Sequence, residues 1–204
     1  GDFYYTPPTD FLALCTSNLP EPAVIPSEHF DVALYSGNGS TQNITSLGFQ
    51  PDFTWIKNRT GTEHHQLFDA VRGVTKAIHT STSAVEAVND DTLTAFLSNG
   101  FTTGDDDATN DDGDYYVAWN WLAGNATLGT GDFTQGTIAS TCSRNTDAGF
   151  SIVSYTGTGS AGTIGHGLSK APDMIIVKNR TQSQGADIFH SFMDTTSPED
   201  YQMD

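Results

Sequence analysis

The sequence predicts an all-β fold of antiparallel β-sandwich repeats, and three observations carry that prediction. Short runs alternate apolar with small or polar residues, as in residues 30–35 (FDVALY), 150–155 (FSIVSY) and 115–121 (YYVAWNW), which is the period of a strand with one buried face. Gly-x-Gly and Asn-Gly sequences interrupt those runs and supply the positive φ angles of tight turns. Finally, residues 35–60 (YSGNGSTQNITSLGFQPDFTWIKNRT) return as residues 155–181 (YTGTGSAGTIGHGLSKAPDMIIVKNRT). Tyr35 and Tyr155 lie 120 residues apart and Pro51 and Pro172 lie 121 apart, so one residue is inserted into an otherwise parallel pattern. Solenoid units run to about 20 to 50 residues, so this is a domain-sized repeat.

Residues 1–28 read as the end of a preceding β domain. Residues 3–5 are strand-like, 11–15 form a further strand or a helical turn, and Pro20, Pro22 and Pro26 make an extended linker. The first sandwich repeat spans residues 29–124. It opens with a hairpin over 30–59, whose second strand starts at Pro51 because proline is tolerated where a strand begins. Strands follow over 64–73 and 75–83, then a short helix over 84–91 that Asn89-Asp90-Asp91 would end. A hairpin turns on Asn99-Gly100, an acidic loop covers 104–114, and the strand 115–121 places Tyr115, Val117, Trp119 and Trp121 on one face. Residues 125–148 are a Gly/Thr-rich linker, and residues 149–204 give the first half of a second repeat. That incomplete copy has no counterpart of YVAWNW. The expectation is that the polypeptide continues, with cover from a neighbouring chain as the alternative.

Composition limits the function. With 204 residues, 36% hydrophobic and 11% aromatic, the chain can bury the core of one large or two smaller β domains. Lys+Arg number 8 against 25 Asp+Glu, and a net charge of −17 argues against nucleic acid or an anionic membrane as partner. No apolar run approaches the roughly 18 residues of a membrane-spanning helix, and the N-terminus has neither Met nor a signal pattern, so the chain reads as cut from a longer one. Cys15 and Cys142 are too few for a disulfide framework and read as separate buried hydrophobes. Acceptor patterns for N-glycans start at Asn38, Asn43, Asn58, Asn125 and Asn179, a number that chance supplies in a chain rich in Ser, Thr and Asn.

Few residues suggest chemistry. Gly157, Gly159 and Gly162 match a dinucleotide-binding pattern in letters only, since no helix opens after them. The acidic loop GDDDATNDDGD holds six aspartates, and Asp105, Asp107, Asn110, Asp112 and Asp114 are candidate ligands for calcium, which takes six to eight oxygens. EF-hand spacing fails, because Ala108 falls where the first carboxylate belongs, and a solvated acidic turn is the plainer reading. No other cofactor is expected. His64, His65 and His190 are too few for a zinc site without the distant cysteines. No nucleophile elbow or His-Glu-x-x-His appears, and nothing singles out a pair of carboxylates, so the chain reads as non-enzymatic. Lys57, Arg59, Lys178 and Arg180 hold half of the basic residues, which suggests ion pairs fixing the strand ends. Trp55, Trp119, Trp121, Tyr115 and Tyr116 could stack on sugars, but their alternation with Val and Ala assigns them to the core.

The phrases FDVALYSGNGSTQNITSLGFQPDFTWIKNR, FDAVRGVTKAIHT, LSNGFTTG and YVAWNWLAG together resemble an uncharacterised repeat domain of large structural proteins of tailed bacteriophages, marine ones especially. In that family the domain follows a SPRY-like, concanavalin-type sandwich, and FYYTPPTDFLALCTSNLPEP looks like the closing strand and exit linker of such a sandwich. The resemblance implies jelly-roll or concanavalin-like repeats in a virion protein, in a tail fibre or other surface appendage that contributes to host attachment. Implied partners are other virion proteins, further copies of the chain, and a host surface glycan or protein. Reduced cysteines and no glycans would follow from assembly in a bacterial cytoplasm. The loop after FTTG is more acidic here than the family pattern leads one to expect, and the family supplies no catalytic residues. A carbohydrate-binding adhesin module and a capsid decoration protein are the alternatives, with a polysaccharide-degrading enzyme behind them.

Overall fold

The computed structural model describes Tyr5, Pro8, Thr9 and residues 24–194. Most of residues 1–23, on which the expected end of a preceding domain rests, lies outside them, as do residues 195–204. The chain is almost wholly β. Its strands are β1 (Phe30–Ser36), β2 (Gln42–Ile44), β3 (Phe53–Asn58), β4 (Gln66–Asp69), β5 (Gly73–Ile78), β6 (Ala87–Val88), β7 (Leu93–Leu97), β8 (Gly100–Thr103), β9 (Tyr115–Trp121), β10 (Ser140–Asn145), β11 (Phe150–Tyr155), β12 (Met174–Lys178) and β13 (Ala186–His190). A 3-10 turn precedes β1 at Pro26–Glu28, and a single α-helical turn, α1 (Asp107–Asn110), lies in the acidic loop.

A six-stranded antiparallel sheet in the order β1-β9-β3-β4-β5-β6 faces a three-stranded sheet, β2-β8-β7. The hairpin expected over 30–59 does not form, because β9 lies between β1 and β3 and pairs antiparallel with both. After β1 the chain turns into the second sheet as β2 and only then returns as β3, which leaves a strand-wide gap that β9 fills. Burial follows strand period: Thr54, Ile56 and Asn58 of β3 and Tyr116, Ala118 and Asn120 of β9 point inward and are buried. Ile56, Tyr116 and Ala118 meet Ala33, Phe68 and Ala77 of the same sheet and Ile44, Leu47, Leu93 and Phe101 opposite, forming one core.

Two close approaches demand glycine. A Cβ at Gly37 would lie 1.9 Å from the carbonyl oxygen of Asp111, and one at Gly100, whose φ is +156°, would lie 1.7 Å from that of Ile44. The first lets the β1 turn seat against the acidic loop and the second closes the β7–β8 hairpin beneath β2.

The helix expected over 84–91 is replaced by an edge strand, because Ala87 and Val88 pair with Ala77 and Lys76 of β5. The segment is too short and too weakly amphipathic to hold a helix against that ladder. Ser140–Asn145, within the expected linker, is strand β10 and pairs along its whole length with β11. Its phrase CSRN at 142–145 has a forerunner, CTSN at 15–18, located 127 residues earlier and outside the described residues. Cys142 is a free, buried thiol that burial pushes above the usual thiol range.

The second copy retains the frame of the first: β11 corresponds to β1, β12 to β3 and β13 to β4. Its repeated Asn does the same work in each. Asn58 Oδ1 accepts from the N–H of Thr60 and Gly61, and Asn179 Oδ1 accepts from those of Thr181 and Gln182, all within 3.0 Å. Each closes the turn after its strand, as short Asn side chains do.

At the centre, the Tyr116 ring stacks on that of Tyr35, 5.1 Å between centroids and 14° between planes. Its hydroxyl accepts from the N–H of Asp111 at 2.8 Å and donates to the carbonyl of Asp107 at 2.7 Å. Burial raises its pKa to about 12, so the group remains a donor. Tyr116→Phe keeps the ring and strands both backbone partners. The expected cost is about 1–3 kcal/mol, read as a lower urea midpoint at unchanged m.

Candidate functional site

The six-stranded sheet has a second face, and it is aromatic. Because Tyr116, Ala118 and Asn120 point inward, Tyr115, Val117, Trp119 and Trp121 point outward, so the tryptophans expected in the core stand on the outside of the sheet. The inner face of β9 carries Tyr116, Ala118 and Asn120 toward the second sheet, and strand alternation places both tryptophans on the other side.

Register arranges these side chains in rows across β1, β9 and β3. One row is Phe30, Trp121 and Phe53, the next Val32, Trp119 and Trp55, and the third Leu34, Val117 and Lys57. In the first row Phe30 and Trp121 centroids are 4.8 Å apart, and Phe150 of the second copy covers the row, stacked on Trp121 at 5.8 Å and edge-on to Phe53 at 5.9 Å. The other rows are half open. Trp55 and Trp119 meet edge to face at 6.1 Å, while Leu34 and Tyr115 at the open end are 67% and 55% exposed.

Trp55 Nε1 donates to His65 Nδ1 at 2.8 Å. Burial, Lys57 and His64 together lower the pKa of His65, which favours the neutral ring that this bond needs. The arrangement can take an apolar or ring-bearing surface against Trp55, Trp119 and Leu34, with polar atoms meeting Lys57 at the edge.

The acidic loop has a different character. Asp105, Asp107 and Asp112 are exposed, whereas Asn110 is fully buried. Asn110 Nδ2 donates to the carbonyls of Ser40 and Gly104, each at 2.6 Å, and its Oδ1 accepts from the N–H of Asn38 at 3.0 Å. Asp114 Oδ2 accepts from Asn58 Nδ2 at 2.7 Å. Asp106, outside the candidate ligand set, caps α1 through the N–H of Ala108 and accepts from Asn89. Among the described residues no three His, Cys, Asp or Glu side chains group in a way that would hold a metal ion. A calcium site here would require the melting temperature to rise with calcium over a chelator control; the expected result is no change.

The repeated Lys-Asn-Arg stretches divide their roles. Arg180 joins an ion-pair chain between the copies, while Lys57 and Lys178 donate to backbone carbonyls of Asn58 and of Thr82 and Gln184. Arg180 Nε and Nη2 each donate to the Glu86 carboxylate at 2.8 Å, Arg72 Nη1 reaches the same carboxylate at 3.0 Å, and Arg72 Nε pairs with Asp69. Only two sequence signals pointed here, the basic cluster and the repeat. Glu86 itself, in an expected helix, gave none.

Burial raises the pKa of Glu86, but its bonds to Arg180 and Arg72 outweigh burial and the carboxyl ends below its ordinary value of 4.5. The depressed group contributes stability above that ordinary value, and the contribution is lost as pH falls through the lowered native value. Glu86→Gln should therefore lower stability at neutral pH and flatten its decline below pH 4.5, measured by denaturant titration across pH.

A family model described as "Domain of unknown function (DUF7483)" matches residues 25–203, and the chain belongs to that family. No curated protein and no solved structure matches the chain.

Proposed function

We propose that this DUF7483 chain is a non-enzymatic structural module of a bacteriophage virion, a spacer or receptor-facing unit of a tail fibre or similar surface appendage. The observation that carries the reading is the junction between copies. Phe150 lies on the aromatic rows of the first copy, and Arg180 ties the second copy to Glu86 and Arg72. A repeat joined by packed rings and a partly buried ion-pair chain transmits orientation from copy to copy, which an appendage needs and a flexible tether does not supply. The likeness of its long phrases to repeat domains of phage structural proteins supports the viral setting. Net charge of −17 suits partners other than nucleic acid.

Carbohydrate binding is the second reading, and the half-open Trp55 and Trp119 favour it. Exposed rings present apolar faces on which sugars stack. In that reading the open rows form the contact with a host glycan.

Antibodies raised against the chain should decorate an appendage of intact particles in electron micrographs, and labelling confined to free secreted protein would overturn the virion reading. On a glycan array, a hit that Trp119→Ala abolishes while leaving the melting temperature within a few degrees would favour the adhesin reading.

A further inference from the structure

In the first copy β9 pairs on one edge with β1 and on the other with β3. Among the described residues the second copy has no strand in that place: β11 pairs with β10, and β12 pairs with β13.

The hydrogen-bonding directions show which edges are free. Cys142 exchanges its N–H and C=O with Leu128, at 3.1 and 2.7 Å, so it turns both away from Val153, its neighbour in β11. Residues along a strand alternate in direction, which leaves Ser151, Val153 and Tyr155 presenting their backbone groups away from β10. Their first-copy counterparts Asp31, Ala33 and Tyr35 present theirs to β9, in the ladder that Leu122 N–H to His29 O and Gly37 N–H to Asp114 O bracket.

The same holds across the gap. Ser191 donates to Asp173 O at 2.8 Å, so Asp173, Ile175 and Val177 face β13 and Met174, Ile176 and Lys178 face away. The counterparts of these last three, Phe53, Trp55 and Lys57, face β9, in the ladder that Arg59 N–H to Tyr115 O continues.

Among the described residues, the two free edges are thus those that bind β9 in the first copy. They lie near one another at one end, where Arg180 Nη1 reaches Ser154 Oγ at 3.1 Å. The inner side is open as well. Ile175 and Val177 are 41% and 38% exposed, whereas their counterparts Thr54 and Ile56, under β7 and β8, are 0% exposed.

We infer that the second copy is a strand acceptor whose occupant is an extended segment of the kind found at residues 93–121: a β9-like strand between β11 and β12, antiparallel to both, with its preceding hairpin over Ile175 and Val177. The occupant's chemistry is set by the repeat. Small or polar residues alternate with aromatic ones in the strand, backbone groups supply affinity along both edges, and an Asn-Gly hairpin covers the inner face.

The test titrates a peptide of residues 92–123 of this chain into the intact chain. Saturable one-to-one binding, a raised melting temperature and slowed amide exchange at Val153, Met174 and Ile176 are expected. Ile176→Pro deletes an N–H that β13 does not use and blocks the free edge, so it should weaken binding roughly tenfold or more while the far-ultraviolet spectrum is kept. Absence of saturable binding would overturn the inference, as would affinity unchanged by Ile176→Pro or protection confined to the outer aromatic rows. Self-association of the chain that Ile176→Pro abolishes, without peptide binding, would assign the edge to a second copy and overturn it too. Should Ile176→Pro not fold, the exchange map on the unaltered chain decides.

Discussion

Everything in the first copy depends on the double pairing of β9. Seven residues at the far end of the repeat lie between two strands that the chain laid down more than fifty residues earlier, and they use both edges to do so. Until β9 arrives, β1 and β3 have free edges and the Tyr35 ring lacks its stacking partner Tyr116. Such a closure is non-local, so loop entropy must be overcome before the contacts reward it, and folding of this copy is expected to be slow relative to its size. The same dependence explains why so much polar structure gathers at one end of β9. The acidic loop delivers it, and Tyr116, Asn110 and Asp106 tie that loop to the β1 turn and to Asn89, which fixes the angle at which the strand enters.

Among the described residues the ion pairs gather at one junction. In a chain with 8 basic residues, Arg72 and Arg180 converge on Glu86, and Arg72 is buried and shared with Asp69. Two cations against two carboxylates leave the cluster neutral, so burial of Arg72 does not strand a charge. Breaking it by removing one partner is costly, whereas surface pairs elsewhere in so acidic a chain would contribute little. The junction therefore gives the second copy a fixed seat on the edge of the first, next to β5 and β6.

The all-β class, the Asn99-Gly100 hairpin and the strand 115–121 were legible because each rests on local chemistry: alternation, turn glycines and a two-residue hairpin signal. Pairing was not. Alternation shows which residues share a face but not which face is inner, and in β9 the eye follows the tryptophans while the core takes Tyr116, Ala118 and Asn120. Nor does it show that the strand after a turn joins a different sheet, as β2 does. Ala84 to Asp91 failed for a related reason: its helical character was weak, and a ladder offered by β5 overrode it. Of the candidate calcium ligands, sequence could count carboxylates but not see that Asn110 turns inward, since a side-chain amide that holds three backbone groups looks the same in letters as one that holds a cation.

The outer face separates the copies in a way the repeat conceals. Where the first copy has Val32, Leu34, Phe53 and Trp55, the second has Ile152, Ser154, Met174 and Ile176 at the corresponding positions. The backbone frame is repeated, down to Asn58 and Asn179 and the direction of the edge amides, but the rings of Phe53 and Trp55 are replaced by Met174 and Ile176. Trp55 is half-buried, packed edge to face on Trp119 and hydrogen-bonded to His65, so its ring contributes packing that Ile176 cannot reproduce in the second copy. The Phe30 position is the exception, and it is informative: its counterpart Phe150 keeps the ring and spends it on the first copy's Trp121 and Phe53. The open rows around Trp55 and Trp119 are thus, among the described residues, a feature of the first copy, so the two copies share a backbone frame while presenting different surfaces on it.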